Sequence, residues 1–339
     1  MGTRRTTKGV DRRAFLRIAG MSLGAGALYR VAPALAAGGP GAEMAHELGR
    51  RNGETPAPFT FVQLSDTHVG FEGPPDPIGT RPFERAVEVV NRLPQKPDLV
   101  LFTGDLTHDT EKPGEHEARM RRFRQIASGL AVRDQRAVPG EHDAALDGGA
   151  LFRGAFGETH YAFDHKGVHF VALDNVSRGK PEVGPEQLAW LRKDLARFPP
   201  TAPIVVFTHR PLFDLRPDWE WFTRDGDEVM RVLEPFENVT VLYGHIHRED
   251  VHVGPHARHY AARSLVFAFP DPAGPAEKKP LPFDPEKPFK NVGLRLVHAG
   301  PGQRPEASAI RCEEVELTMA ERSGTEGFAQ LLRPTSILS

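Results

Sequence analysis

The chain has 339 residues, which is enough for one large α/β domain or two small ones and for a sizeable buried core. A formal net charge of −2 gives no nucleic-acid-binding footprint and no polybasic membrane-binding surface. The single cysteine, Cys312, excludes an intrachain disulfide and a thiolate metal site, whereas the 15 histidines fall largely in short clusters.

The first 36 residues have the layout of a secretory signal peptide. Two arginines with Phe-Leu and a further basic residue (11–17) precede a mildly apolar run (18–28) and a small-x-small cleavage site (34–36). The twin arginines resemble the Tat type, which exports folded proteins. An amphipathic helix or a membrane anchor is the alternative, but the apolar run is too short to span a bilayer. We predict a periplasmic or secreted protein with no stable membrane span, a Tat-type signal at 1–36 and a linker at 37–58.

The rest of the chain alternates short apolar runs, predicted as strands, with segments of helical spacing. No internal repeat or second domain boundary is visible, so we predict one domain at 59–320 and a tail at 321–339. The predicted strands are 59–64, 98–103, 136–138, 161–164, 168–174, 203–208, 239–243, 258–269, 292–298 and 308–317, and the predicted helices are 81–93, 114–128, 184–198 and 225–234.

Five of the predicted strands end at carboxylate or histidine residues. Because ligands gather outside the carboxyl ends of strands in α/β sheets, we expect these side chains to lie together. Each motif alone is more often a satisfied surface or core group, but five at strand ends are hard to explain by chance. Carboxylates and imidazoles without thiolates favour Zn, Mn, Fe or Ni, and a shared carboxylate can bridge two ions. The residues are Asp66, His68, Asp105, Glu141, His142, His209, His245 and His247.

As a set, these motifs resemble the calcineurin-like metallophosphoesterase superfamily, and the similarity extends over roughly 59–270. The segments near 161–174 and 187–191 further resemble the branch that contains cyclic-nucleotide phosphodiesterase-like proteins and purple acid phosphatases. The tyrosine that purple acid phosphatases place after the second motif is absent, which argues against a tyrosinate–iron chromophore. The motifs are Asp66-x-His68, Gly104-Asp105, Gly140-x-His142-Asp143, His209 and Gly244-His245-x-His247.

The resemblance implies an α/β fold, a four-layer α-β-β-α sandwich of two mixed sheets, and two divalent or trivalent metal ions (Mn, Fe or Zn). It also implies attack of metal-held hydroxide on the phosphorus of a phosphate mono- or diester. His142 would protonate the leaving oxygen or stabilise the transition state, and Asp143 would orient His142. The implied ligands are Asp66, His68, Asp105 and His247 for the first metal, and Asp105, Glu141, His209 and His245 for the second.

Glu141 departs from the family pattern, which usually has Asn at this position. Glutamate is one methylene longer and adds a full negative charge if it binds. If it does not fit, the second metal is weakened or lost; it could also tune the site to another metal pair or leave the mechanism unchanged. We expect Glu141 to bind the second metal, and we expect an exported phosphoester hydrolase. The alternative is a periplasmic metal-binding or interaction protein on this fold with weak or no hydrolysis.

Three further sets of residues each allow two interpretations. The His108–Asp109 pair either lines the pocket or lies in a solvated loop. The aromatic residues after His209 either hold a substrate at the mouth of the site or pack an inserted loop. The histidines after the last motif are further ligands or, as we expect, surface residues. The aromatic residues are Trp219, Trp221 and Phe222, and the histidines are His252, His256 and His259.

Overall fold

The computed structural model describes residues 58–144, 146–275, 277–300 and 310–317. The predicted signal peptide, nearly all of the predicted linker and the predicted tail lie outside these residues, and they stay predictions. Within the described part of the chain, no helix is both long and apolar enough to cross a membrane.

The first sheet has five strands: β1 (Phe59–Leu64), β2 (Leu99–Thr103), β3 (Asp134–Val138), β10 (Gly293–Ala299) and β11 (Ile310–Glu316). Their order across the sheet is β11-β10-β1-β2-β3. The pairs β1–β2 and β2–β3 are parallel, whereas β10 is antiparallel to both β1 and β11. The sheet is therefore mixed, and its parallel half sends three carboxyl ends to the same edge.

The second sheet is also mixed, with six strands in the order β4-β5-β6-β7-β9-β8. Its central strands β5, β6, β7 and β9 are parallel, and the edge strands β4 and β8 are antiparallel to their neighbours. The bounds are β4 Tyr161–His165, β5 Val168–Ala172, β6 Pro203–Phe207, β7 Asn238–Tyr243, β8 Asp250–Val253 and β9 Ala257–Ala261.

The helices account for the outer layers. Four of them begin close to the predicted positions. Two short ones, α3 (Glu141–Ala144) and α4 (Ala150–Phe156), follow β3. A single turn of 3-10 helix, Pro217–Trp219, precedes the last helix. The bounds are α1 Arg81–Asn91, α2 Glu115–Ala127, α3 Glu141–Ala144, α4 Ala150–Phe156, α5 Pro185–Leu195 and α6 Gly226–Leu233.

The side chains of the central strands show how the layers pack. Successive residues of a strand point to opposite faces. Val100 and Phe102 of β2 share a core with α1 and α2, whereas Leu101 packs between the sheets against Phe170 of β5. Val206 of β6 belongs to a third core with α5 and α6. The layers are therefore helices, sheet, sheet and helices, and the predicted four-layer sandwich is confirmed.

The predicted strand at 258–269 is partly wrong. The strand β9 ends at Ala261, and a short edge strand, β8, precedes it. Residues 262–269 have an apolar pattern because several of them are buried, but they do not form a strand. The amide of Leu265 donates to the carbonyls of Ser65 and Asp66, both at 3.1 Å. This segment thus lies beneath the end of β1 rather than in the second sheet.

Candidate metal centre

All seven predicted ligands meet at the carboxyl ends of the strands of both sheets. They follow β1, β2 and β3 of the first sheet and β6 and β7 of the second, which agrees with the expected position of ligands in α/β folds. Within each of two groups, one ligand atom per residue lies within 4.8 Å of the others. The first ligand group is Asp66, His68, Asp105 and His247, and the second ligand group is Asp105, Glu141, His209 and His245.

Asp105 belongs to both groups. Its Oδ2 atom lies 3.3 Å from Nε2 of His68, in the first ligand group, and 3.3 Å from Nε2 of His209, in the second. Its other oxygen, Oδ1, accepts a hydrogen bond of 2.9 Å from the backbone N–H of His142. One carboxylate oxygen is therefore left between the two groups, where Asp105 would be a ligand common to both.

Backbone carbonyls fix the rings of His209 and His247. Nδ1 of His209 donates to the carbonyl of Thr103 at 2.7 Å, and Nδ1 of His247 donates to the carbonyl of Phe267 at 3.0 Å. Each bond assigns the proton to Nδ1, so the lone pair of Nε2 faces the other ligands. This is how metal-binding histidines are usually oriented, with the second nitrogen held by an outer partner.

Glu141 lies between two histidines of the second ligand group. Its Oε1 atom is 2.8 Å from Nδ1 of His245, and its Oε2 atom is 2.8 Å from Nε2 of His209. Nε2 of His245 lies 3.2 Å from the carbonyl of Glu220, to which it can donate. Burial alone would raise the pKa of Glu141, but the charges of His245 and His209 outweigh it and hold the pKa well below its usual range. Glu141 is therefore an anionic candidate ligand, and its binding of the second metal stays a prediction.

The donor atoms of both groups fit metal cations. Nε2 of His68 and Nε2 of His247 face each other at 3.1 Å, and burial, followed by the charge of His247, lowers the pKa of His68 well below 6.5. In the second group, Nε2 of His209 and Oε2 of Glu141 have no hydrogen bond of acceptable geometry among the described residues. Burial opposes protonation of His209, but the charges of Asp105 and Glu141 raise its pKa well above 6.5, so the carboxylates of this group favour a cation beside them. Imidazoles and carboxylates that converge in this way suit Mn, Fe or Zn.

The backbone at the site is unusual in conformation. A positive φ is uncommon for residues other than glycine and tends to occur where function requires a fixed geometry. Five of the seven predicted ligands adopt it, so the strand ends turn sharply and aim their side chains back toward one centre. These residues are Asp66 (φ 53°), His68 (38°), Asp105 (49°), His245 (66°) and His247 (52°).

Two motif glycines let the loops approach each other closely. A Cβ atom at Gly140 would collide with the backbone and the carboxylate of Asp105. A Cβ atom at Gly244 would collide with Ser65 and with the carboxylate of Asp66. The glycines in the third and fifth motifs are therefore required by close packing against ligands of the neighbouring strands.

His142 lies beside the first ligand group. Its ring stacks on His108, with centroids 4.5 Å apart, and meets His68 edge-on at 4.8 Å. Nδ1 of His142 contacts the carboxylate of Asp109. Burial opposes protonation, but the charge of Asp105 and the bond to Asp109 raise the pKa of His142 to about 9. His108 and Asp109 therefore line the pocket rather than lie in a solvated loop.

The expectation that Asp143 orients His142 requires correction. The buried carboxylate of Asp143 accepts from the N–H of Leu106 (3.0 Å), from the N–H and hydroxyl of Thr107 (2.9 and 3.0 Å) and from the N–H of Gly140 (2.9 Å). The side chain points back into the fold because the turn of α3 directs it there. It joins the loops after β2 and β3, and the carboxylate on the ring of His142 is Asp109.

Sequence reasoning missed Arg210, although it directly follows His209. Arg210 is buried, and its Nη2 atom lies 3.3 Å from Oε1 of Glu141. Its Nη1 atom donates to the carbonyl of Glu220 at 2.8 Å. The sequence offered one signal that could have identified it. Glu141 places an additional acid at one ligand position, and Arg210 places a basic residue next to another ligand, His209.

The aromatic residues after His209 and the histidines after the last motif divide between core and surface. Trp219 and Trp221 are buried with Tyr243 and Ile246, so they pack the inserted loop. His252 and His256 are exposed, as expected. His259 is only 2% exposed, so its predicted surface position is wrong.

Comparison with known proteins agrees with the fold and the site. Residues 59–249 match the family described as calcineurin-like phosphoesterase, and because this is more than half of the chain, the chain belongs to that family. The family and the enzyme class predicted from the motifs, metal-dependent phosphoester hydrolases, are confirmed.

Several curated proteins and solved structures are similar to this chain, and two relatives and one structure illustrate them. A probable glycerophosphodiester phosphodiesterase of Arcobacter nitrofigilis is 28% identical over 201 residues, 55% of this chain and 71% of that protein. A probable cyclic nucleotide phosphodiesterase of Rhodococcus erythropolis is 29% identical over 216 residues, 58% and 68% respectively. A dimetal phosphatase from Danio rerio has a TM-score of 0.51 at 14% identity, over 76% of this chain and 99% of that chain, which shows the shared fold.

Proposed function

We propose that this protein hydrolyses phosphate mono- or diesters at a centre of two metal ions. The observation that carries the proposal is the pair of ligand groups that share Asp105, whose Oδ2 atom lies equally far from one histidine of each group. The named activities of the relatives, on glycerophosphodiesters and cyclic nucleotides, support a phosphoester substrate.

The protein's own residues have distinct parts in this reaction. When bound, the two ions would supply a hydroxide nucleophile and neutralise charge that develops at phosphorus. His142, whose protonated form the contact with Asp109 favours, would give a proton to the leaving oxygen. Arg210 offsets the additional negative charge of Glu141. The donor set favours Mn, Fe or Zn over softer ions.

Activity assays with defined metals test this proposal. The full-length protein, stripped of metal and reloaded with Mn, Fe or Zn, should hydrolyse aryl phosphate mono- or diesters. Asp105→Asn should abolish turnover, because the substitution weakens a ligand common to both groups. If the protein binds two ions but turns over no member of a broad phosphoester panel, it is a metal-binding or interaction protein on this fold instead.

We further propose export through the Tat route, on the basis of the twin arginines at positions 12 and 13 and the apolar run that follows. Replacing both arginines by lysine should keep the protein in the cytoplasmic fraction, whereas the unchanged protein should be recovered outside the inner membrane. Recovery of both forms in the same fraction would contradict the proposal.

A further inference from the structure

Lys278, in the Pro/Lys-rich excursion 270–290, lies against the inserted aromatic loop. Its Nζ atom donates to the carbonyl of Trp219 at 3.2 Å. The ammonium also lies over the rings of Phe269, at 5.2 Å from the centroid, and Trp221, at 5.9 Å. Trp221, one of the aromatic residues that the sequence offered as substrate contacts, thus forms a platform for a cation together with Phe269.

The platform lies at the edge of the metal centre. The next carbonyl along the chain, that of Glu220, accepts from Nη1 of Arg210 at 2.8 Å and lies 3.2 Å from Nε2 of His245. Consecutive carbonyls of one tight turn therefore hold Lys278 and Arg210, and the second of them also supports a predicted ligand. Lys278 is therefore held one carbonyl along the turn from the carbonyl that contacts His245 of the second ligand group.

The two cations differ in their partners. Arg210 is buried and faces Glu141. Lys278 is exposed, and within the described ranges no carboxylate lies within 4.0 Å of its ammonium. The adjacent Lys279, by contrast, pairs with Glu277. The carbonyl of Trp219 takes one of the three donors of the ammonium, and the two rings take none, so Lys278 can donate to an anion from solvent.

The position of His142 indicates which oxygen this cation would meet. His142 lies against His68 of the first ligand group. The platform of Lys278 reaches both groups, because the ring of Phe269 packs against His247, with centroids 5.1 Å apart, and the turn that holds Lys278 contacts His245. His142 and Lys278 thus stand at different places around the centre, so an oxygen that meets Lys278 is not the leaving oxygen beside His142. In a phosphomonoester that oxygen is anionic, whereas in a diester it can carry an uncharged ester substituent.

We propose that Lys278 is a specificity-determining residue that binds the second anionic oxygen of phosphomonoester dianions and so favours them over diesters. This inference rests on the proposed phosphoesterase function. An added cation attracts a dianion more strongly than a monoanion, and a charge-assisted hydrogen bond strengthens the preference.

A kinetic comparison tests it in the full-length, Mn-loaded protein at pH 8, with 4-nitrophenyl phosphate and bis(4-nitrophenyl) phosphate as substrates. Lys278→Met should lower kcat/KM for the monoester about tenfold or more, mainly through KM, and change the diester value by about twofold at most. Lys278→Arg should restore part of the loss. The adjacent Lys279→Met is the matched control, and it should change neither value. Equal losses on both esters, or an unchanged ratio, would overturn the inference.

Binding of inorganic phosphate provides a second readout that does not depend on turnover. Titration calorimetry of the Mn-loaded protein should show phosphate binding weakened about tenfold in Lys278→Met and unchanged in Lys279→Met. If the wild-type protein hydrolyses neither ester, the proposed function fails, and the phosphate titration still decides the role of Lys278. Equal phosphate affinity in wild type and Lys278→Met would reject the anion contact.

Discussion

Arg210 and Glu141 form an ion pair at the edge of the second ligand group, with Nη2 of the arginine 3.3 Å from Oε1 of the carboxylate. The family pattern usually has a neutral amide at position 141, so this chain adds one negative charge to the site. Arg210 adds one positive charge in direct contact with it. The pair thus keeps the local charge close to that of an amide-bearing site while Glu141 still offers oxygens to a metal.

A double-mutant cycle should show that the two residues are coupled. Arg210→Met should destabilise the metal-free protein, because it removes one of the positive charges that face the Glu141 carboxylate. Glu141→Gln should reduce that loss, with a coupling free energy of about 1–3 kcal/mol from urea unfolding of the four proteins. Additive effects would mean that the contact does not balance charge. Arg178→Met is the control, since Arg178 pairs with Glu186 on the surface.

We expect Asp109 to act mainly in catalysis and Asp143 mainly in stability. Asp109→Asn removes the charge that supports protonated His142, so kcat should fall about tenfold or more while unfolding changes little. Asp143→Ala leaves the buried N–H groups of Leu106, Thr107 and Gly140 without an acceptor and should cost about 3 kcal/mol or more. Steady-state kinetics and urea unfolding on both variants check this assignment. A stable Asp143→Ala protein with a selective loss of kcat would contradict it.

Gly140→Ala should damage the site through packing alone. The added methyl group collides with Asp105, so the loop after β3 must shift away from a ligand common to both groups. We expect metal affinity to fall about tenfold or more, as when the support of a ligand is disturbed. Gly154→Ala is the control, because Gly154 lies in α4 with open space around it and alanine favours a helix. Equal metal binding in the two variants would exclude this explanation of the motif glycine.

His259 should make stability depend on pH below neutrality. Burial, and then the charge of His252, lower the pKa of His259 to about 3. Between this value and the ordinary pKa of about 6.5, the unfolded chain binds a proton that the folded chain does not, so stability falls as pH falls. From pH 7 to pH 5 the loss from this residue is about 2 kcal/mol.

Urea unfolding of the metal-free protein at the two pH values measures this loss. His259→Phe should lose about 2 kcal/mol less than wild type between pH 7 and pH 5. His256→Phe, at an exposed position, should behave like wild type. The same pH dependence in wild type and His259→Phe would show that His259 does not titrate in this way.

The ligands could be predicted from sequence because each follows a strand whose apolar pattern is local. Asp109 could not be assigned to His142, since the two lie 33 positions apart and the loop path decides their contact. The same holds for Arg210 and Glu141. Residues 262–269 misled the prediction because burial beneath β1 produces the same apolar pattern as burial in a sheet. Lys278 lies in a segment without any periodic pattern, and only the fold brings it to the site.

The metal content of the purified protein tests the central claim most directly. After loading with excess Mn and removal of free metal, elemental analysis should find two ions per chain in wild type and one in Glu141→Ala, because Glu141 belongs to the second ligand group alone. Asp105→Ala should retain fewer ions than Glu141→Ala, since it removes a ligand from both groups. One ion per chain in wild type, or two ions in Glu141→Ala, would contradict a two-metal centre to which Glu141 contributes.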